Sequence, residues 1–223
     1  FPNAPIYTSQ YDPNQIDWFK SAEVRTTWLQ GLPKQSTVRK LLPVLRRQAF
    51  QSLDLTDFDI VISSSGAEAK AVHKLKDGAL HITYCHSPTH YYWQRYNEYL
   101  KEPGFGMLNP IARGGLRVLG GPMRKWDYKV AQRPDVLVAN STHIQQKIKE
   151  YYNRDSVVVF PPVDIERFAQ TKQPKRHGLV VSGRQVPYKR FDLAIQAAIK
   201  LGVPLKVSGT GPMNEKLRAL AHG

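Results

Sequence analysis

The chain is short of cysteine, of acidic residues and of long apolar runs, and each shortage removes a class of protein. Of 223 residues a single one is cysteine, Cys85. No disulfide can form within the chain, and a reducing compartment such as the cytoplasm is the default. Cys85 closes the apolar run Ile82-Thr-Tyr-Cys85, where a free thiol packs as a small hydrophobe and is expected to be buried. No stretch approaches the ~18 apolar residues of a membrane span, and no signal peptide is visible at the Phe-Pro-Asn start. Also missing are a Walker loop, a Ser/His/Asp triad, a metal-carboxylate signature and the helix-turn-helix, RNP and zinc-finger patterns. The glycine-rich run Gly114-Gly-Leu-Arg-Val-Leu-Gly-Gly121 follows no strand and has the wrong spacing for a dinucleotide fingerprint, so it reads as a flexible loop.

Acids number 18 against 32 lysines and arginines, a formal charge of +14. The bases are concentrated. Lys34, Arg39, Lys40, Arg46 and Arg47 follow one another without an acid, as do Arg113, Arg117, Arg124 and Lys125. Leu41, Leu42, Val44 and Leu45 interleave the first set, and Leu116, Val118, Leu119 and Met123 the second. Such basic amphipathic segments suit an anionic membrane face or another polyanion, or form a plain solvated helix face. Nucleic acid is the other partner that this charge would suit.

What is present has an ordinary globular composition, 41% hydrophobic and 22% charged. Short β-branched runs predict strands over Ile6–Ser9, Asp59–Ser64, His81–Cys85, Val136–Asn140, Ser156–Phe160, Leu179–Ser182 and Pro204–Ser208. Their continuity predicts burial on both faces of a parallel sheet. Between them lie helical patterns: Ala67–Lys76 after the Ser-rich turn Ser63–Gly66, the aromatic-rich His90–Leu100, Pro122–Gln132, Thr142–Tyr152 capped by Ser141, Phe191–Leu201 ended by Gly202, and Asn214–Ala221. Strand alternating with helix predicts a doubly wound α/β fold. A proline- and charge-rich stretch from Pro161 to Arg176 separates two strand–helix series, and the two strands of the second make a poor independent domain.

Two places concentrate chemistry. In the first, Ser182-Gly-Arg184 ends a strand, Lys189-Arg190 stands before a helix at Phe191, and Gly209-Thr-Gly211 ends the next strand. The C-terminal edge of a parallel sheet is where open α/β proteins bind ligands. Arg184 supplies a planar fork of donors and Lys189 a mobile point charge, five residues apart, so the two could grip a diphosphate. Helix amides near Phe191 would add positive potential. In the second, His86 stands just past a strand end and Pro88 bends the chain away. There it could donate to a phosphate or sugar hydroxyl, titrate near neutrality, or simply cap a loop. His86 and His90 with Pro88 between them do not make a zinc site. Tyr91, Tyr92, Trp93, Tyr96 and Tyr99 read as core or interface, or as a stacking surface for a sugar or base.

Five stretches in order along the chain carry a resemblance: Ala4–Thr8; Phe58–Ser65; Tyr84-Cys-His-Ser-Pro88; Arg133–Ser141 with Pro161-Pro-Val-Asp164; and Ser182–Arg190 with Gly209–Pro212. Together they resemble the family 4 glycosyltransferases, especially the bacterial mannosyltransferase-like branch that builds surface polysaccharides. The resemblance implies two Rossmann-like domains (the GT-B type) facing each other across a cleft. It implies residues 1–165 as an acceptor-side domain and 166–223 as the start of a nucleotide-sugar-binding domain. It implies transfer of a sugar such as mannose from a GDP- or UDP-linked donor to a glycan or lipid-linked acceptor, with retention at the anomeric carbon, no metal and no cofactor. Arg184 and Lys189 would hold the donor diphosphate beside Gly183; Gly209 and Gly211 would let the backbone approach the nucleotide; His86 would face the transferred sugar as the catalytic residue. The family's first strand with its Gly-Gly loop and its later paired glutamates are not found, so the chain is expected to be cut short at both ends. The expected place of work is the cytoplasm, peripheral at the inner membrane face. A non-enzymatic basic module binding nucleic acid or another polyanion is the alternative, and no specific nucleic acid is expected.

Overall fold

The computed structural model describes residues 3–14, 19, 21–32, 43–65, 67–103, 106–169 and 177–222. The basic residues Lys34, Arg39 and Lys40 with Leu41 and Leu42, Gly66 of the Ser-rich turn, and the charged stretch 172–176 lie outside the described residues. The strands are β1 (Ile6–Thr8), β2 (Val24–Thr26), β3 (Asp54–Leu55), β4 (Ile60–Ser64), β5 (Lys74–Leu75), β6 (Leu80–Cys85), β7 (Val136–Ala139), β8 (Val157–Val158), β9 (Leu179–Ser182) and β10 (Leu205–Ser208). The helices are α1 (Pro43–Gln51), α2 (Tyr96–Lys101), α3 (Asn109–Val130), α4 (Thr142–Tyr152), α5 (Ile165–Ala169), α6 (Phe191–Leu201) and α7 (Asn214–His222). Every strand pairing among the described residues is parallel, which makes the fold α/β. The chain divides into two compact units, Phe1–Pro162 and Val163–Gly223.

The first unit centres on a sheet of order β4-β6-β7-β8. Side chains alternate across it, and the register sets Ser63 beside Thr83 and Ile82 beside Val136. One face carries Ser63, His81, Thr83, Cys85, Leu137 and Ala139, all buried. α4 packs on it through Ile144, Ile148 and Tyr152, one helical turn apart. Both ends of α4 are fixed by local chemistry: Ser141 Oγ accepts the Ile144 N–H at 3.3 Å, and Asn153 closes the helix at φ 50°. The opposite face departs from the expectation of burial on both sides. Ile60, Ile62, Leu80 and Val157 are 39–59% exposed there. A continuous apolar run cannot distinguish a sheet covered once from one covered twice.

Three further expectations are corrected. Helix Ala67–Lys76 is a single 3-10 turn over Glu68–Ala71, after which the chain extends into β5 to pair with β3. Residues 90–95 are turns, and the helix begins only at Tyr96. The reason is directional: Tyr91 reaches Glu68, Trp93 reaches Asp127 and Tyr92 enters the core, and one helix face cannot serve all three. The run Gly114–Gly121 is helical, inside α3. Four glycines and Pro122 disfavour a helix by about 1 and about 3 kcal/mol each, but packing overrides them. Met123, Trp126 and Val130 enter the core, and bare Gly120 leaves room for the Tyr96 ring, 2.8 Å from where its Cβ would stand.

The second unit is built on the parallel pair β9–β10. Its core is Phe191 and Ile195 of α6 and Leu217 of α7, with Val181 and Leu205 beneath. α6 ends where the sequence places its stop, with Gly202 at φ 61°.

Candidate functional site

At the C-terminal edge of the four-stranded sheet three polar side chains converge from three neighbouring strand ends. His86, exposed, follows β6; its Nε2 lies 2.9 Å from Ser64 Oγ at the end of β4. Asn140, just past β7, donates through Nδ2 to the His86 carbonyl at 3.1 Å. The Tyr84 ring meets the imidazole edge-on with centroids 5.4 Å apart, and its hydroxyl donates to the Val159 carbonyl at 3.0 Å. The imidazole is therefore held from two sides while open to solvent, as a group that binds or moves a proton on a substrate must be. Ser64 and Asn140 were not singled out in the sequence. Each is a polar residue at a β-branched strand's end, the same signal that singles out His86.

Beneath this edge lies a buried charge cluster that no local sequence pattern announces. Lys70 Nζ and Asp127 Oδ1 pair at 2.7 Å with side chains 1% and 0% exposed. Asp127 also accepts from Thr89 Oγ1 at 2.9 Å, Trp93 Nε1 at 2.7 Å and the Tyr152 hydroxyl at 2.8 Å. Burial, together with the Asp127 carboxylate, holds the Tyr152 phenol well above its ordinary pKa. One carboxylate of α3 thus ties down the loop after β4, the loop that follows His86, and the end of α4. A buried charge is tolerated only when paired and fully hydrogen-bonded, and Asp127 has four donors.

A second polar row sits on the covered sheet face. Ser63 Oγ is 3.1 Å from His81 Nε2 and 2.7 Å from Thr83 Oγ1. Burial lowers the His81 pKa to about 4, against a smaller upward pull from Asp135. Although Ser63 and His81 are within hydrogen-bond distance, both are buried, so no substrate reaches them. Cys85 is buried as expected, and burial pushes its thiol up to about 11.

In the second unit the loop after β9 carries the expected cations. Arg184 and Lys189 are exposed, and neither side chain makes an ion pair or hydrogen bond with another described residue. Lys189 folds back over the strand end, its Nζ 2.9 Å from where a Gly183 Cβ would stand. Arg190 differs: its guanidinium grips Asp192 through Nε at 3.0 Å and Nη2 at 2.8 Å. Arg190, then the backbone amides of Asp192 and Leu193, lower the Asp192 pKa. Of the amides near Phe191, that of Leu193 donates to the Arg190 carbonyl at 3.1 Å. Gly209 and Gly211 have a structural task. At φ 110° a Cβ on Gly209 would stand 2.1 Å from the Gly183 carbonyl, and one on Gly211 would stand 2.3 Å from the Gln185 carbonyl. Bare backbone at both positions lets the loop after β10 lie directly on the loop after β9. His86 belongs to the first unit and the other expected site residues to the second. Among the described residues no group of three His, Cys, Asp or Glu is placed to hold a metal ion, and no helix is long and apolar enough to cross a membrane.

Parallel sheets with polar and cationic groups gathered past the C-terminal strand ends make this an α/β protein with side chains at the edge where open sheets bind ligands. Residues 6–167 match the family model of Glycosyltransferase Family 4. The chain belongs to that family, and its class of chemistry is glycosyl transfer. No curated protein matches it.

Proposed function

We propose that the chain takes part in transferring a sugar, with retention at the anomeric carbon, from a GDP- or UDP-linked donor to a glycan or lipid-linked acceptor. Mannose is the first sugar to test. One observation carries this: of the three cations in the loop after β9, Arg190 is neutralised by Asp192 while Arg184 and Lys189 are left exposed at the strand's C-terminal end. Two exposed cations on one short loop, with their donors uncommitted, can both make charge-assisted hydrogen bonds to one anion, and a diphosphate supplies it. In the reaction Arg184 and Lys189 would stabilise the charge that develops on the leaving diphosphate as the bond to the anomeric carbon breaks. His86, backed by Ser64, would meet the transferred sugar or the acceptor hydroxyl. Family membership supports this reading over a module that binds nucleic acid.

The membrane partner draws support from α3. Met107, just before it, and Ile111 and Val118 within it are 97%, 70% and 73% exposed, flanked by exposed Arg117 and Lys125. Its one acid, Asp127, is buried. An apolar stripe edged by bases fits an anionic bilayer surface at the cytoplasmic face, where a lipid-linked acceptor would be met.

Thermal unfolding with nucleotides tests the donor assignment. A ligand at a hundred times its Kd stabilises the folded state by about 2.7 kcal/mol. GDP or UDP should therefore raise the Tm, and Arg184→Ala or Lys189→Ala should reduce the rise. No shift with either nucleotide would count against a donor site here.

A further inference from the structure

Between the free Arg184 and the core of the second unit stands Gln185, 4% exposed. Its main chain is tied to the facing loop twice: its N–H donates to the Thr210 carbonyl at 2.9 Å, and its carbonyl accepts from Met213 N–H at 3.2 Å. Its side chain crosses the same seam. Nε2 donates to the Gly209 carbonyl at 2.9 Å, and Oε1 accepts from Asn214 Nδ2 at 2.8 Å. Asn214 Oδ1 in turn accepts from Arg218 Nε at 3.1 Å.

This chain of bonds has one direction. A guanidinium only donates, so Asn214 must present its oxygen to Arg218 and its nitrogen to Gln185. Gln185 must then present its oxygen to Asn214 and its nitrogen to the Gly209 carbonyl, which only accepts. Flipping either amide sets like against like. The relay is therefore a specific latch, anchored on α7, that closes the loop after β10 onto the loop after β9. Arg184 rides on the latched backbone as the adjoining residue, and its own carbonyl is fixed by the Val186 N–H at 2.9 Å.

We infer that Gln185, oriented by Asn214, is a positioning residue that holds Arg184 in place for the donor diphosphate. This role rests on the donor assignment proposed above. Gln185→Glu is the informative variant. It keeps the shape but, when ionised, turns a donor into an acceptor facing the Gly209 carbonyl, so the latch opens.

Isothermal titration of GDP, UDP and inorganic pyrophosphate into the full chain tests the role. In the wild-type background Gln185→Glu should weaken the best of these ligands on the order of tenfold, the loss of about one hydrogen bond's contribution. In the Arg184→Ala background it should have no further effect, because a residue acting through Arg184 has nothing left to position. Asn214→Leu, which releases the same amide from the other side, should repeat both results and serves if Gln185→Glu does not fold. Unchanged binding in Gln185→Glu and Asn214→Leu would overturn the inference. So would an equal loss in both backgrounds, which marks general scaffolding. Wild-type binding that Arg184→Ala leaves intact, or no binding of any of the three ligands, would overturn the donor assignment and this role together.

Discussion

His81 ties the stability of the fold to pH through one buried imidazole. In the unfolded chain it takes up a proton near its ordinary 6.5, while in the fold burial holds the pKa at about 4. Between those values the unfolded state binds more protons, so stability rises with pH through this window and is fully present above it. Urea midpoints measured from pH 4 to 7.5 should climb, and a His81→Gln variant should lose part of the slope; a variant slope equal to wild type would refute the assignment. Cys85 should be inert to Ellman's reagent in the folded protein and react only on unfolding, since the thiol is buried and held protonated. Its burial was legible from the apolar run around it. The Lys70–Asp127 pair was not, because its partners stand 57 positions apart and no local pattern couples them. Removing one partner of a buried pair strands the other, at a cost of about 3–5 kcal/mol. Asp127→Ala should lower the unfolding free energy by that amount in denaturant titrations, and a change under about 1 kcal/mol would contradict the network of Lys70, Thr89, Trp93 and Tyr152 around Asp127.

Helices with complete local signals were legible in the sequence. Ser141 and Gly202 mark ends that the structure reproduces in α4 and α6, because a cap is a contact between near neighbours. α3 defeated the same rules. Its C-terminal part was legible as the amphipathic pattern Pro122–Gln132, but the glycines of Gly114–Gly121 argue for a loop, and only packing carries the helix through them. Residues 90–95 failed in the opposite sense, since three aromatic side chains are drawn to three different partners. The exposed stripe of α3 also carries the membrane proposal. The chain should sediment with vesicles of phosphatidylcholine and phosphatidylglycerol and less with phosphatidylcholine alone. Each base near an anionic surface contributes about 1 kcal/mol. Arg117→Glu with Lys125→Glu should therefore weaken the association at least tenfold, and Ile111→Ser, which removes apolar surface and adds no charge, should weaken it without altering the charge dependence. Equal sedimentation with neutral vesicles, or indifference to these changes, would remove the membrane from the account.

For the whole molecule, the alternation of strand and helix made the α/β class readable, and the rule that ligands gather at C-terminal strand ends pointed to His86, Arg184 and Lys189. The same rule did not reveal what supports them. Ser64 and Asn140 beside His86, and the Gln185–Asn214 latch beside Arg184, are neighbours only through strand register and loop packing. Nor did it reveal that Gly209 and Gly211 are demanded by packing, so that losing nucleotide binding on Gly209→Ala would say little about contact with a ligand. The two cations are the better probes. The central claim is that Arg184 and Lys189 grip a diphosphate, and the most direct test compares the Kd of GDP and UDP with those of GMP and UMP. The wild-type chain should prefer a nucleoside diphosphate over its monophosphate by roughly tenfold or more, worth about 1.4 kcal/mol, and both Arg184→Ala and Lys189→Ala should abolish the preference. Equal affinity for the two, or a preference that survives both substitutions, would contradict the claim.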